Sequence, residues 1–318
     1  MDIKLKNIIE KNNSIIIHRH KRPDMDAIGS QMGLFHLLKE NYPNKEIYVV
    51  GDSNKFLYNS KMDEIEDEIF NQSLSIILDT SVDYMISDER YKIAKEVIVI
   101  DHHRNDINLE TYDLFYQLSE YTSACEILVH LAKTYNWKVS DEAATYIYAG
   151  MVTDTGRFRY INNENASRVF ENASFITKFK PNINDMYNFL YTESLEERQT
   201  KNLFQEFNTT ENMVAYRKNN KELILKSGLD IFGVSRGMVN QMAGIKEIPI
   251  WVSFTEDFEN DKILAEVRSR DITVVDICKE FGGGGHNNAC GASLKDFDEA
   301  DLMLEKLDER AKEYGNIK

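Results

Sequence analysis

Apolar runs of strand length alternate with helical patterns through the first half of the chain. Four of these runs are rich in Ile and Val and almost continuously apolar, which is typical of parallel strands buried on both faces. They are Ser14–Ile17, Glu46–Val50, Leu74–Leu78 and Glu96–Ile100. Segments with helical spacing, such as GSQMGLFHLLKENY after the first run, separate them. The pattern predicts an α/β domain with a doubly wound, mainly parallel sheet.

A different alternation of elements follows a helical region that extends from about Asn165 to Phe207. Strand-like segments MVAYRK, ELILKS, IPIWVSF and ILAEVRSR alternate with helical segments SRGMVNQMAG, TVVDICKEF and FDEADLMLEKLDERAKEY. This pattern predicts a second, smaller α/β domain at the C-terminus. We therefore place the first domain at residues 1–190, a helical linker at 191–210 and the second domain at 211–318.

Composition limits the class of protein. A chain of 318 residues with a hydrophobic fraction of 42% has enough apolar material for two cores. The N-terminus has no continuous apolar h-region and no run is long enough to cross a membrane, so we expect a cytoplasmic protein. The three cysteines, Cys125, Cys278 and Cys290, have no CxxC spacing and are interpreted as reduced packing residues.

The net charge of −15 argues against binding to a long nucleic acid duplex. A small anionic substrate remains compatible with this charge, because bound divalent cations and a few focused basic residues reverse the sign of the potential inside one cleft.

Polar side chains follow each of the four predicted strands. The segments are HRHKRPDMD, Gly51-Asp52, Asp79-Thr80-Ser81 and Asp101-His102-His103. A fifth segment, Asp154-Thr155-Gly156-Arg157, follows the helical pattern DEAATYIYAGMV. Ligands of open α/β sheets bind beyond the carboxyl ends of the strands, so we expect these segments to meet at one crevice.

Each candidate residue also has an interpretation in which it binds no ligand. Asp24 and Asp26 face one side if the chain is extended after Pro23, but Asp26 alone would cap a helix that begins at Ala27. Asp79 and Asp154 fit ordinary turns, and His102-His103 fits a surface pair equally well. Their joint placement at strand ends favours a site. The set comprises His20, Asp24, Asp26, Asp79, Asp101, His102, His103 and Asp154.

Carboxylates with some imidazole and no thiolate suit Mn²⁺ or Mg²⁺, and suit Fe²⁺ or Zn²⁺ less specifically. Four crowded carboxylates repel one another unless cations neutralise them. Two divalent metal ions roughly 3.5–4 Å apart that share a carboxylate are a common arrangement for phosphate ester hydrolysis.

The motifs HKRPDMDAIGS, ILDTS, IDHH, GMVTDTGRF and FGGGGHNNACGAS together resemble the DHH phosphoesterase family with its DHH-associated C-terminal domain. Length and spacing resemble its nanoRNase/pAp-phosphatase subfamily. The resemblance implies that His20 rather than His18 is a ligand, and that the site lies in the cleft between the domains. One metal is then held by His20, Asp24 and Asp79, and the second by Asp26, Asp79, His102 and Asp154.

The resemblance also implies that His103 reaches the substrate phosphate and that Asp101 supports it. We assign Arg157 a role in stabilising charge during the reaction. In the C-terminal domain, the glycine run Gly282–Gly285 allows the main chain to approach a ligand closely, and we expect Gly284 and Gly285 to contact the substrate.

Arg268 and His286 would hold the phosphate or nucleotide by the same resemblance. Strand alternation places Arg268 and Arg270 on one face, where both would meet the same anion. The fourth glycine of the run and the pair Asn287-Asn288 depart from the family pattern, which leaves the base preference open.

The resemblance implies a Mn²⁺-dependent phosphohydrolase of short oligonucleotides and of 3′-phosphoadenosine 5′-phosphate (pAp). Substrates of about 2–5 nucleotides suit the acidic surface, because only a few phosphates need neutralising. The alternatives are a phosphodiesterase of cyclic dinucleotides or their linear pNpN products, a RecJ-like exonuclease, an inorganic pyrophosphatase and a non-catalytic nucleotide sensor. A homodimer is compatible with all of them, and no membrane partner is expected.

Overall fold

The computed structural model describes residues 1–52, 61–104 and 106–315. The chain divides into two compact units, the first from Met1 to Thr192 and the second from Glu193 onwards. Among the described residues, none of the helices combines the length and the apolar composition that crossing a membrane requires.

The first unit is built on a five-stranded parallel sheet with the strand order β2-β1-β3-β4-β5. The four predicted strands are all present, and the sequence did not indicate the fifth, at one edge. The strands are β1 (Ser14–His18), β2 (Glu46–Val49), β3 (Leu74–Leu78), β4 (Glu96–Asp101) and β5 (Leu114–Gln117).

Both faces of this sheet are covered, which explains the continuous apolar runs of its central strands. Ile76 and Leu78 of β3 belong to the main core, whereas Ile77 between them packs with Tyr91 in a smaller cluster on the other face. The helices of this unit are α1 (Asp2–Lys11), α2 (Met25–Asn41), α3 (Asp67–Gln72), α4 (Ala124–Tyr135), α5 (Asp141–Asp154), α6 (Ala166–Thr177) and α7 (Ile183–Tyr191). The predicted α/β class is confirmed.

Helix α2 begins earlier than the sequence indicated. Asp24 is its N-cap, and the Asp24 side chain accepts hydrogen bonds from the backbone N–H groups of Asp26 and Ala27. Asp26 therefore lies in the first helical turn and is not the cap. The prediction of an extended segment through Asp26, with the helix opened by Gly29-Ser30, is wrong by about one turn.

The second unit contains a six-stranded sheet with the order β10-β11-β9-β8-β7-β6. Its pairings are antiparallel except between β7 and β8. The strands are β6 (Asn208–Thr209), β7 (Val214–Asn219), β8 (Ile250–Asp257), β9 (Lys262–Ser269), β10 (Gly284–His286) and β11 (Ala289–Leu294). The helices are α8 (Leu195–Asn202), α9 (Lys221–Ser227), α10 (Ile231–Met238), α11 (Val275–Glu280) and α12 (Phe297–Gly315).

The segment ELILKS was predicted as a strand but forms helix α9. Asn220 caps this helix by accepting a hydrogen bond from the N–H of Leu223, and Gly228 ends it with a left-handed φ of +69°. These two signals at the ends of the segment outweigh the short apolar alternation within it.

Candidate active site

The ends of β1, β3 and β4 meet at a cavity of about 260 Å³. Parallel strands present their carboxyl ends at one edge of the sheet, so residues distant in sequence come together there. The cavity lining includes His20, Asp24, Asp79, Asp101, His102, His103 and Asp154. The rest of the lining consists of Thr80, Ser81, Val82, Tyr84 and Met85. Of these five residues, the sequence predicted only Thr80 and Ser81 to lie near the site.

Asp79 lies at the centre of this group of side chains. It directly follows β3 and is buried, with a left-handed backbone φ of +62°, which is a strained conformation for a residue other than glycine. Its Oδ1 is 3.3 Å from His102 Nε2, and its Oδ2 is 3.6 Å from His20 Nε2. One carboxylate therefore faces both histidines.

Within the described residues, three groups of side chains place their donor atoms within 4.8 Å of one another. The groups are His20–Asp24–Asp79, Asp26–His102–Asp154 and Asp79–His102–His103. The first matches one metal set implied by the family resemblance. The second contains three members of the other set, and the third joins Asp79 to His102. The ligand assignment itself remains a prediction, but the geometry needed for it is present.

Helix α4 holds Asp26 in place, a contact that the sequence did not predict. Its Oδ2 accepts a hydrogen bond from the N–H of Ala124 at 2.7 Å, and its Oδ1 accepts one from the N–H of Cys125 at 3.0 Å. These N–H groups belong to the first turn of α4, where backbone donors and the helix dipole stabilise an anion. The N-cap Ser123 and Glu126 three residues later were an available signal for the start of α4.

Close packing of helix α5 also fixes Asp26. A Cβ atom on Gly150 would lie 2.3 Å from Cys125 Sγ and 2.8 Å from Asp26 Oδ1. A side chain at residue 150 would therefore displace Asp26 or push α5 away from α2. Glycine at this position lets α5 carry Asp154 into the cavity.

The carboxylates of the site raise the pKa values of His20 and His102. Burial alone lowers the pKa of His20, but the hydrogen bond and charge of Asp79 raise it to about 9. Burial likewise lowers the pKa of His102, while Asp79, Asp26 and Asp154 raise it to about 10. Each imidazole therefore gains more from the surrounding carboxylates than it loses by leaving water.

The carboxylates of the site repel one another. Burial, followed by the charge of Asp79, raises the pKa of Asp26 to about 7. Burial and the charges of Asp26 and Asp79 raise the pKa of Asp154 well above its ordinary value. Asp79 Oδ1 is buried and accepts no well-aligned hydrogen bond among the described residues, although His102 Nε2 lies 3.3 Å from it. A cation would relieve the repulsion between the carboxylates and bind this oxygen, so the residues fit a divalent metal.

Two hydrogen bonds orient imidazoles of the site. His20 Nδ1 lies 2.8 Å from the carbonyl oxygen of Lys21, and His103 Nδ1 lies 2.8 Å from Asp101 Oδ1. In each case Nδ1–H donates to an acceptor that has no hydrogen of its own, which leaves Nε2 for another partner. Such contacts fix the orientation of a ligating or substrate-binding histidine.

Two predicted parts of the site, the end of β2 and Arg157, lie outside the cavity lining. Gly51 and Asp52 line a different cavity together with Asp88 and Arg90, so the expectation that all four strand ends share one crevice is wrong for β2. Arg157 is exposed and is not among the cavity lining; its guanidinium stacks on the ring of Tyr191 at 4.8 Å. Its position gives no support to the predicted role in stabilising charge.

His18 is a packing residue and is not part of the cavity lining. It ends β1 fully buried, and its Nε2 forms a 3.0 Å hydrogen bond with Ser75 Oγ. Its ring contacts those of Phe70 and Tyr91.

The second unit places Gly284, His286 and Arg268 on one face of its sheet, whereas Gly285 lies in the alternate row opposite Cys290. In the register of the three strands, His286 of β10 lies opposite Ala289 of β11, which lies opposite Arg268 of β9. The next row on that face contains Gly284, Gly291 and Glu266, because side chains two residues apart point to the same side.

Glu266 holds the arginines of this face. Its Oε2 accepts a hydrogen bond from Arg268 Nη1 at 3.1 Å, and its Oε1 accepts one from Arg236 Nε at 2.9 Å. Arg270, in contrast, donates to the carbonyl oxygens of Ile245 and Lys246. Arg268 and Arg270 thus have separate partners, and the prediction that both meet the same anion is not supported.

The glycine run has a structural reason at three of its positions. A Cβ on Gly283 would lie 2.1 Å from the carbonyl oxygen of Gly291, and Gly282 and Gly285 have φ values of +72° and +134°. At Gly284, however, a Cβ would meet nothing within 4 Å. Packing of the unit does not require glycine at Gly284, which suits a surface that a ligand approaches, and substrate contact by Gly284 and Gly285 remains a prediction.

Comparisons with known proteins assign both units of the chain to known domain families. Residues 14–151 match the DHH family, N-terminal domain, and residues 230–313 match the DHHA1 domain. The protein of Bacillus subtilis (strain 168) called bifunctional oligoribonuclease and PAP phosphatase NrnA is 34% identical over 326 residues, covering 99% of this chain and 100% of that protein.

The chain belongs to the DHH family. A Mycoplasma genitalium protein of the same name is 34% identical over 294 residues and covers 91% of each chain. The crystal structure of an exopolyphosphatase-related protein from Bacteroides fragilis has a TM-score of 0.84 and 26% identity, and covers 98% of this chain and 97% of its own. The cavity at the ends of β1, β3 and β4 lies within or beside the segment that matches the DHH model, and the Arg268–His286 face lies within the DHHA1 match.

Proposed function

We propose that this DHH family protein is a metal-dependent phosphohydrolase that degrades very short oligonucleotides to mononucleotides and dephosphorylates pAp to AMP. The observation that carries the proposal is the pair of donor groups around Asp79: His20–Asp24–Asp79 on one side, and His102 with its acidic neighbours on the other. Full-length relatives named for both activities support the choice of substrates.

The donor groups would hold two divalent cations, with Asp79 shared between them. When bound, such cations polarise a phosphate and make water more acidic. His20 and His102 bind as neutral imidazoles, and His20 is oriented by the carbonyl of Lys21. Asp26 stays in place through its two hydrogen bonds from α4.

His103 is the residue of this site that we assign to the substrate. Its Nδ1–H donates to Asp101, which leaves Nε2 free to meet a phosphate oxygen, and a protonated ring adds positive charge there. Burial lowers the pKa of His103, but its hydrogen bond with Asp101 raises it above the ordinary value overall. Asp101 therefore acts as a positioning residue for His103.

Selection of the substrate is assigned to the second unit. Arg268 and His286 share one row of its sheet, with the side-chain-free Gly284 in the next row. A face with one guanidinium and one imidazole contacts few phosphates, and the net charge of −15 disfavours a long polyanion. Mn²⁺ as the preferred ion, a cytoplasmic location and a homodimer remain predictions from the sequence.

A panel of hydrolysis rates with Mn²⁺ tests the substrate class. The purified chain is given pAp, a pNpN dinucleotide, a trinucleotide, a pentanucleotide, a cyclic dinucleotide, pyrophosphate and a long single strand. We expect the largest kcat/KM on pAp and on the short oligonucleotides. A best rate on the long strand or on pyrophosphate contradicts the proposal, and a best rate on the cyclic dinucleotide replaces it with the phosphodiesterase alternative.

Arg268→Lys tests the substrate-binding face. Lysine keeps the charge but loses the guanidinium fork, so we expect KM for a trinucleotide to rise about 10- to 100-fold, with a smaller change in kcat. Arg270→Lys is the matched control, because the Arg270 guanidinium donates to the carbonyl oxygens of Ile245 and Lys246, whereas that of Arg268 contacts Glu266. Equal effects of the two substitutions on KM would remove Arg268 from the binding face.

A further inference from the structure

Two cysteines of the second unit lie in direct contact. Cys278 is in α11 and Cys290 is in β11, and both side chains are buried. Their Sγ atoms are 2.7 Å apart. This is shorter than the roughly 3.5–4.0 Å at which non-bonded heavy atoms pack best. It is within about 0.7 Å of the length of a disulfide bond, about 2.0 Å.

The two cysteines flank the glycine run. Between them lie the strand β10 and the glycines Gly282 and Gly285, whose φ values are +72° and +134°. A backbone hydrogen bond from Gly283 N–H to the carbonyl of Cys278, at 2.9 Å, already turns the chain back at one end. At the other end β11 pairs with both β10 and β9. A bond between the two sulfurs would close this loop covalently.

The third cysteine provides a contrast within the same chain. Cys125 is also fully buried, but it lies in the first unit, where its thiol donates to the backbone oxygen of Asp26 at 3.7 Å. Among the described residues, it makes no hydrogen bond with another thiol. Burial is therefore common to all three cysteines, whereas thiol contact belongs to the pair.

We propose that Cys278 and Cys290 form an oxidation site, at which a hydroperoxide converts the two thiols into an intramolecular disulfide that ties α11 to β11. Cys290 as thiolate attacks one peroxide oxygen and becomes a sulfenic acid, and with one proton the other oxygen leaves as water or an alcohol. The Cys278 thiol then attacks the sulfenic sulfur and releases a second water. The pair loses two electrons and two protons, and one peroxide bond is reduced.

The surroundings favour Cys290 as the attacking sulfur. The hydrogen bond from Cys278 lowers the pKa of Cys290 against the opposing effect of burial, and the charge of Arg268 lowers it further. The hydrogen bond to Cys290 and burial raise the pKa of Cys278. Arg268 Nη1 lies 3.4 Å from the carbonyl oxygen of Cys290, which places a positive charge beside this residue, and Cys278 is already placed to resolve a sulfenic acid on Cys290.

The test exposes the full chain to stoichiometric hydrogen peroxide and then alkylates free thiols under denaturing conditions. We expect one free thiol per chain instead of three, and a non-reducing peptide map that links Cys278 to Cys290. The oxidised chain should also have a higher Tm, because the bond restricts the unfolded chain, and dithiothreitol should reverse both changes.

Three outcomes would overturn the proposal: three free thiols after treatment, a link that involves Cys125, or a link between two chains. A Cys278–Cys290 link without a rise in Tm would overturn the tie between α11 and β11. Cys125→Ser is the matched control and should retain the link. Cys278→Ser should lose it, and the thiol count on the unmodified chain decides the question even if that variant folds poorly.

Discussion

Asp79→Asn is expected to lose at least about 1,000-fold in kcat/KM on the preferred substrate, equivalent to about 4 kcal/mol of transition-state stabilisation. The substitution removes the one carboxylate that faces both His20 and His102, and with it the shared charge between two metal positions. Asparagine is preferable to alanine at this position, because it tolerates the left-handed φ of +62° better. The fold should therefore persist, as measured by circular dichroism.

Asp52→Asn is the matched control for this substitution. Asp52 also follows a strand of the same sheet, but it lines the separate cavity with Asp88 and Arg90. We expect its kcat/KM to remain within about twofold of the unmodified protein, a change of roughly 0.4 kcal/mol. An Asp79→Asn protein with a near-normal rate, at matched purity and metal content, would refute the assignment of Asp79.

Metal binding should become tighter as the pH rises. Without metal, His20 and His102 have pKa values raised to about 9 and about 10, so both are protonated at neutral pH. A metal ligand must be a neutral imidazole, so the cation has to displace these protons. Since His20 and His102 are assigned to different cations, the affinity for each cation should rise by about 10-fold per pH unit below the pKa of its histidine. The overall constant for binding both cations should rise by about 100-fold per pH unit below pH 9, and the histidine contribution should level off above pH 10.

Calorimetric titration with Mn²⁺ in buffers of different ionisation enthalpy measures the number of protons released. We expect at least about two protons at pH 7 when both cations bind, because His20 and His102 each lose one and the raised pKa values of Asp26 and Asp154 add to the number. We also expect a Tm that rises with Mn²⁺, and loss of both the stabilisation and the activity on chelation. His130→Gln is the control histidine substitution, because His130 contacts Asp2 instead of the cavity. An affinity that is constant or falls with pH would contradict the linkage.

The meeting of the strand ends in one cavity could be predicted because it depends on the hydrophobic pattern of the strands and on their parallel pairing. Continuous runs of Ile and Val predict parallel strands that are buried on both faces, and such strands bring their carboxyl ends together. This was enough to place Asp79 and His102 near each other although they are distant in sequence. The same rule failed for Asp52, because a position at a strand end does not determine the cavity that a side chain lines.

The start of α2 was not predictable from local sequence. Asp24 and Asp26 are both acceptable N-caps by residue type. The choice depends on Asp26 accepting hydrogen bonds from Ala124 and Cys125, almost one hundred positions later. Contacts between residues so far apart in sequence cannot be inferred from a local sequence pattern. The stacking of Arg157 on Tyr191 is a further example.

The donor groups around Asp79 also bear on how the protein folds. Their members come from separate segments between His20 and Asp154, carried by three strand ends and two helices. Contacts of such large sequence separation form late, because each requires the closure of a long loop. A metal ion therefore finds its complete set of ligands only after the parallel sheet and α5 have come together. Metal affinity develops with the last steps of folding and so reports that the first unit is fully assembled.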